Sequence, residues 1–341
     1  MMRAGIVGIA GYTGQELAAL LLAHPHLELA GVYGSDASDG RAVGELCGSL
    51  RGTTRLTAKT ASVAAIAGDG IETVFLATPH EASAMLAPGL LDSGIRVVDL
   101  SAAFRLKDAA LYPEFYGFHH PAPALIDEAV YGLPELGRDS LRGARLIAAP
   151  GCYPTSVIVP TTPLRRADLL APDRPLVVDS TSGVTGAGRQ PSPRTVFAEV
   201  SQSPYGVLAH RHGPEMEQAL GGRVIFTPHL GPYARGICST IHAELMPGTT
   251  ARDIHSCLHA AFGDEPFVRL LPEGVWPSVA GVERTNFVDI GLAVSERDRH
   301  LIVVSCIDNL TKGAAGQAVQ ACNAAMGWDE RLGLPTGASR G

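Results

Sequence analysis

One cysteine of this chain is set up for nucleophilic chemistry. It lies in the run Ala149-Pro150-Gly151-Cys152-Tyr153-Pro154-Thr155-Ser156, on a tight turn between a strand-like stretch at 145–149 and an expected helix. Gly151 allows the backbone to bend without a Cβ penalty. Pro154 suits a first helical turn, where its missing N–H costs little. The free amides and dipole of such a helix start favour thiolate over thiol. The alternative is a buried cysteine acting as a small hydrophobe, but the flanking Pro-Gly and Tyr-Pro-Thr are not what a core position asks for. A thiolate needs a base or a cation beside it, and His210-Arg211-His212-Gly213-Pro214-Glu215 offers both. The imidazoles of His210 and His212 are expected to point different ways, which leaves one for acid–base work and gives the other a different role.

A second group of residues reads as a dinucleotide site. Gly8, Gly11 and Gly14 follow the first expected strand and open the first expected helix. Glycines there permit a tight turn and a close approach of backbone amides to a pyrophosphate at a helix N-terminus. The spacing is G-x-x-G-x-x-G, a variant of the usual fingerprint. After the second expected strand comes Tyr33-Gly34-Ser35-Asp36. An acidic residue there accepts the ribose hydroxyls of NAD, whereas Ser35 is compatible with the 2′-phosphate of NADP, with Arg41 near enough in sequence to offset Asp36. The choice between NADP and NAD stays open on this segment.

The elements that must hold these residues alternate in the first half: strands at 3–7, 29–33, 73–77, 96–100 and 145–149, helices at 14–23, 62–67 and 81–91. That is the pattern of βαβ units and a parallel sheet. After a helix at 153–169 the strands lengthen, at 176–179, 223–227, 237–245, 287–294 and 301–308. The last two flank a polar hairpin loop at 295–300, so the second half reads as an α+β domain with a mixed, largely antiparallel sheet. A helical stretch at 314–326 closes the chain. The expectation is an α/β protein with a Rossmann-type domain at 1–149, a catalytic and dimerisation domain at 150–312 and a C-terminal helix at 313–341 returning to the first domain. Among 341 residues, 46% are apolar and 18% charged, which is globular composition. The net charge of −7 argues against nucleic acid as a partner. No stretch has the apolar length of a membrane span, and the N-terminus lacks a signal-peptide cleavage site. Six scattered cysteines form no CxxC pair, which implies a reducing, cytoplasmic setting. His255 and His259 flank Cys257 on an expected helix but lack a second ligand cluster, so no metal is expected. His119-His120 reads as a structural loop.

The chain resembles the N-acetyl-γ-glutamyl-phosphate reductase family of the semialdehyde-dehydrogenase group over essentially its whole length. The resemblance is carried by GIAGYTGQEL at 8–17, DLSAAFRL at 99–106, YGLPE at 131–135, PGCYPT at 150–155, SGVTGAGR at 182–189, HRHGPE at 210–215 and NLTKGAAGQ at 309–317. It implies an NADPH-dependent reduction of an acyl phosphate to a semialdehyde with release of phosphate, through a thioester on Cys152. It also implies His212 as the acid–base residue, with Glu215 orienting its far ring nitrogen, and leaves His210 at the substrate or the nicotinamide. An anionic substrate calls for cations, for which Arg105, Arg189 and Arg235 are candidates. Ser182 and Gly183 would offer amides and Tyr205 a hydroxyl. The expected cofactor shell is Gly8, Gly11, Tyr12, Thr13, Gly14, Ser35, Thr78, Ser101, Asn309, Lys312 and Gly313. The chain departs from the family's pattern at Asp36, where arginine is common, and at Ala103, where aspartate is usual. A homodimer or homotetramer is expected. Other readings are a reductase of aspartyl or aminoadipyl phosphate, or a non-catalytic NADP-binding sensor.

Overall fold

The computed structural model describes residues 1–337, so the end of the segment expected at 313–341 lies outside the described residues. The described residues form two compact units, Met1–Pro150 with Ala314–Leu334, and Gly151–Gly313 with 335–337.

The first unit is built on seven strands: β1 (Met2–Val7), β2 (Leu27–Gly34), β3 (Lys59–Thr60), β4 (Thr73–Leu76), β5 (Arg96–Asp99), β6 (Val130–Tyr131) and β7 (Leu146–Ala148). Their order is β3-β2-β1-β4-β5-β7-β6, and every neighbouring pair is parallel. All four residues of β4 and the last four of β1 are buried. That is how strands covered on both faces read, as unbroken apolar runs rather than alternations. The strand order reverses at β1 and β4, so the loops leaving their carboxyl ends open into the crevice where such sheets bind ligands. Helix Gly316–Ala325 is buried along its whole length in this unit, and Gln317 donates to Gly132 O at 2.8 Å.

The second unit carries β8 (Leu176–Gly183), β9 (Ser203–Pro204), β10 (Val224–Gly231), β11 (Ile237–Glu244), β12 (Val268–Leu270), β13 (Val288–Ser295) and β14 (His300–Ile307). The order β12-β13-β14-β11-β8-β10-β9 mixes antiparallel pairs with the parallel pairs β8–β10 and β12–β13. β11 alternates buried and half-buried residues over its full length, the mark of a sheet packed on one face only. The covered face meets helix Cys152–Arg166; the other face carries Val177, Thr240, His242 and Val304.

The strand expected at 176–179 runs longer than its apolar pattern. It continues through Ser180 to Gly183, because the buried Ser180 hydroxyl meets Ser239 Oγ at 2.6 Å instead of water. A polar residue that finds a partner inside does not end a strand. Among the described residues no helix is long and apolar enough to cross a membrane.

Candidate active site

Cys152 is the first residue of helix Cys152–Arg166, with Gly151 at its N-cap. The turn does not depend on glycine's freedom. Gly151 sits at φ −69°, ψ 154°, extended backbone that any residue adopts. What distinguishes it is its amide, which donates to Glu215 Oε1 at 2.8 Å in a fully buried contact. That bond ties the start of the Cys152 helix to helix Gly213–Leu220, whose first turn contains Pro214 and Glu215. A hydroxyl chain anchors the same turn from beneath: Ser156 Oγ donates to Tyr153 O at 2.8 Å and meets Ser239 Oγ at 2.7 Å. On its remaining side Cys152 is crowded by Gly313, where a Cβ would come within 2.8 Å of Cys152 Cβ. Gly313→Ala therefore displaces the thiol. A fall in kcat of about 10–100-fold is expected, measured with a thermal unfolding curve that shows the fold retained.

His210-Arg211-His212 does not run extended. His212 adopts φ −83°, ψ −11° just before its helix, and the two imidazoles lie together, with ring centroids 4.8 Å apart. This corrects the expectation that they point different ways; residues two apart share a face even on an extended segment. Both lie against Tyr153, at 5.7 and 5.9 Å. They are nonetheless chemically unlike. Burial, reinforced by the Arg211 charge, lowers the pKa of His210 to about 4, and its Nδ1 accepts the His212 amide at 3.2 Å. His210 is a neutral hydrogen-bonding group at physiological pH.

That shift has a sign for stability. Between pH about 6.5 and 4 the unfolded chain binds a proton at residue 210 and the fold does not. The His210 contribution is therefore intact above pH about 6.5 and is lost as pH falls toward 4. His210→Gln is expected to flatten the acid decline of the unfolding free energy by at most about 1.4 kcal/mol per pH unit, measured by denaturant titration across that window.

Tyr205 donates to the Tyr153 hydroxyl at 3.1 Å, which donates onward to His229 O at 3.0 Å. Burial pushes the Tyr205 phenol up to about 12 and Tyr153 higher still, so both are neutral donors. Ser182 is buried, with its hydroxyl donating to Gly183 O at 3.0 Å. The Gly183 amide is already spent on Gly236 O at 2.9 Å, so that amide is not offered to a ligand. Arg235 forms a paired bond with Asp308, at 2.9 and 3.0 Å, and reaches Thr311 Oγ1 at 3.0 Å. Arg189 is exposed on the loop after β8. Asn309 accepts the Gly236 amide at 2.6 Å and donates to Thr185 at 3.0 Å. Lys312 is fully buried, with Nζ 5.7 Å from the centre of the Phe267 ring.

In the first unit a cavity of about 540 Å³ opens beyond β1 and β4, lined by Gly8, Gly11, Ser35, Ser38, Ala61 and Thr78 among others. Gly8 sits at φ +98°, and a Cβ there would strike Ala77 O at 2.2 Å. A Cβ on Gly14 would strike Gly8 O at the same distance. Gly11 differs: a Cβ there would meet no protein atom nearer than Gly8 O at 3.6 Å, so a side chain would fill the cavity instead. Its position at the N-cap of helix Tyr12–Leu22 is where a pyrophosphate seats, and the residues present fit a dinucleotide. Tyr12 and Thr13 begin that helix. Arg41 faces Glu45 at 3.9 Å on the surface. Ser101 is tied to Asp99 at 2.9 Å, and Arg105 donates to Ala149 O at 2.7 Å and Leu100 O at 2.9 Å. His120, read as a loop residue, packs on Phe104 and Tyr112 and bonds to Ala103 O at 2.8 Å.

Sequence reasoning missed Asp308, which collects Arg235 together with the amides of Arg284, Leu310 and Thr311. It also missed helix Gly213–Leu220, although proline in its first turn followed by Glu215 is a helix-start signal.

A two-unit chain with a nucleotide crevice and a helix-borne cysteine is the plan of a semialdehyde dehydrogenase. The NAD binding domain of that class matches residues 3–144 and its dimerisation domain residues 152–309. Relatives named N-acetyl-gamma-glutamyl-phosphate reductase include the Aliivibrio fischeri protein, 46% identical over 96% of this chain and 98% of its own. The Escherichia coli O157:H7 protein of that name is 44% identical over 98% of this chain and 100% of its own. The chain belongs to the N-acetyl-γ-glutamyl-phosphate reductase family. The same fold is seen in aspartate semialdehyde dehydrogenase II from Vibrio cholerae, with TM-score 0.71 and 17% identity over 95% of this chain and 98% of that one. It recurs in the Candida albicans aspartate semialdehyde dehydrogenase solved with NADP, with TM-score 0.71 and 14% identity over 95% and 98% of the two chains.

Proposed function

We propose that this chain catalyses the NADPH-dependent reduction of N-acetyl-γ-glutamyl phosphate to N-acetylglutamate 5-semialdehyde, with release of phosphate, in arginine biosynthesis. The observation that carries the reading is Cys152 at a helix start whose N-cap amide is held by Glu215, one turn from His212, in a chain 44–46% identical to reductases of that name.

Cys152 attacks the acyl carbon as a thiolate, the carbon–oxygen bond to phosphate breaks, and inorganic phosphate leaves a thioester on sulfur. When bound, a reduced nicotinamide dinucleotide supplies the hydride that this thioester accepts. His212 gives a proton to the carbonyl oxygen as the thiohemiacetal forms. It takes that proton back when the carbon–sulfur bond breaks, the semialdehyde departs and the thiolate is restored. Glu215 sets the register between the His212 turn and the Cys152 turn. His210, held neutral, and the Tyr205–Tyr153 pair donate or accept hydrogen bonds at the substrate without changing charge. Ser182, Arg189 and Arg235 complete the substrate shell of the second unit, and Arg105 is the candidate cation of the first. Gly8, Gly11, Tyr12, Thr13, Gly14, Ser35, Thr78 and Ser101, with Asn309, Lys312 and Gly313, are proposed to serve the cofactor.

The half-exposed face of the β8–β11–β14 sheet, within the residues matched by the dimerisation domain, is proposed to meet a second copy and give a homodimer or homotetramer. The sparse, scattered cysteines, with no CxxC pair, support a cytoplasmic setting. The test is phosphate-dependent reduction of NADP by N-acetylglutamate semialdehyde. Turnover with this semialdehyde and at least about tenfold less with aspartate semialdehyde supports the reading, and the reverse preference overturns it.

A further inference from the structure

We propose that Thr60 determines cofactor choice in this chain by holding the carboxylate of Asp36 out of the nucleotide cavity; this rests on the dinucleotide reading above. An acidic residue just beyond β2 ordinarily accepts the ribose hydroxyls of NAD and repels a 2′-phosphate. Here Asp36 is not among the residues lining the cavity, whereas its neighbours Ser35 and Ser38 are. Asp36 Oδ1 accepts a hydrogen bond from Thr60 Oγ1 at 3.0 Å. The second carboxylate of the same turn is engaged at the same residue, with the Thr60 amide donating to Asp39 Oδ1 at 2.9 Å. Residue 60 is well placed for this. It ends β3, which pairs with β2 in the register Gly34↔Thr60, and the following residue, Ala61, lines the cavity.

What remains lining the cavity at this corner is Ser35 and Ser38, each of which carries a hydroxyl. The Ser35 side chain does not cap the 3-10 turn Asp36–Ser38, so its hydroxyl is available as a donor. Two neutral donors with the carboxylate turned aside suit a 2′-phosphate better than a ribose diol, which lacks its usual acidic acceptor. One hydroxyl thus converts a segment that reads as NAD-binding into one that accepts NADP.

The experiment is equilibrium calorimetry of NADP⁺ and NAD⁺ binding to the full chain, read without turnover. Wild type is expected to bind NADP⁺ more tightly. Thr60→Val releases Asp36 and is expected to weaken NADP⁺ by roughly 3–10-fold through like-charge repulsion, with NAD⁺ changed less than about twofold. Thr60→Ser keeps the hydroxyl and binds as wild type does. In an Asp36→Asn background, Thr60→Val changes NADP⁺ binding less than about twofold, because the repelling charge is gone. Equal loss for both dinucleotides, no loss in Thr60→Val, or a loss that persists in the Asp36→Asn background overturns the assignment of Thr60. A wild-type chain that binds neither dinucleotide overturns the cofactor reading itself.

Discussion

Serine in place of Cys152 lowers kcat for the phosphate-dependent oxidation of N-acetylglutamate semialdehyde by at least about 10³-fold, with NADP affinity unchanged within about twofold. The two halves of this expectation have separate physical sources. The cofactor cavity is lined by residues of the first unit, Val7 to Leu86, none of which the substitution touches. The proposed nucleophile stands at a helix start, whose dipole stabilises a thiolate but gives far less help to a serine hydroxyl, whose alkoxide is inaccessible near neutral pH. The other cysteines do not compete for this role. Cys47, Cys306 and Cys322 are buried, burial pushes the Cys322 thiol up to about 12, and burial also raises Cys257. The thiols of Cys238 and Cys306 hydrogen-bond to each other across paired strands. Iodoacetamide is accordingly expected to modify Cys152 first, and the fastest labelling phase disappears in Cys152→Ser. Turnover equal to wild type in that variant rules out the covalent route.

The parallel sheet was legible because its inner strands obey a rule that sequence displays directly: four consecutive buried residues in β1 and in β4 appear as short apolar runs, each followed by a helical pattern. The outer strands were not. β3, β6 and β9 are two residues long and hold their place by pairing with a neighbour, which leaves no periodicity to read. Within the candidate site, Cys152, the histidine motif and the glycine turn were visible because each needs particular residue types at fixed spacing. The relation between the histidines was not. Both rings pack against Tyr153, more than fifty residues earlier, a contact that no local pattern displays. Glu215 shows the same limit. Its residue type announces a carboxylate near the site, whereas its partner, the Gly151 amide 64 residues earlier, is set by packing between two helix starts.

His212 carries the second large expectation: His212→Asn lowers kcat by about 10²–10³-fold, with KM changed less than about threefold and the Cys152 alkylation rate near neutral pH lowered in parallel. Either imidazole is near enough to Tyr153 to serve, so proximity does not choose between them. Protonation does. The reduction half-reaction needs a group that gives a proton and recovers it within one cycle near neutral pH, and a group poised for that work titrates near the operating pH. His210 is held neutral down to pH about 4 by burial and Arg211, so as an acid it would be present at less than about one part in 10² at pH 7. His212 begins the turn that Glu215 locks onto the Cys152 N-cap, so its position relative to the thiol is set by buried contacts and not by a free loop. The pH–rate profile separates the two residues. His210→Gln is expected to keep the acid–base limb where wild type has it, while His212→Asn removes that limb. If His210→Gln removes it instead, the acid–base role belongs to His210, and its neutral form gives way to a protonated one when substrate binds.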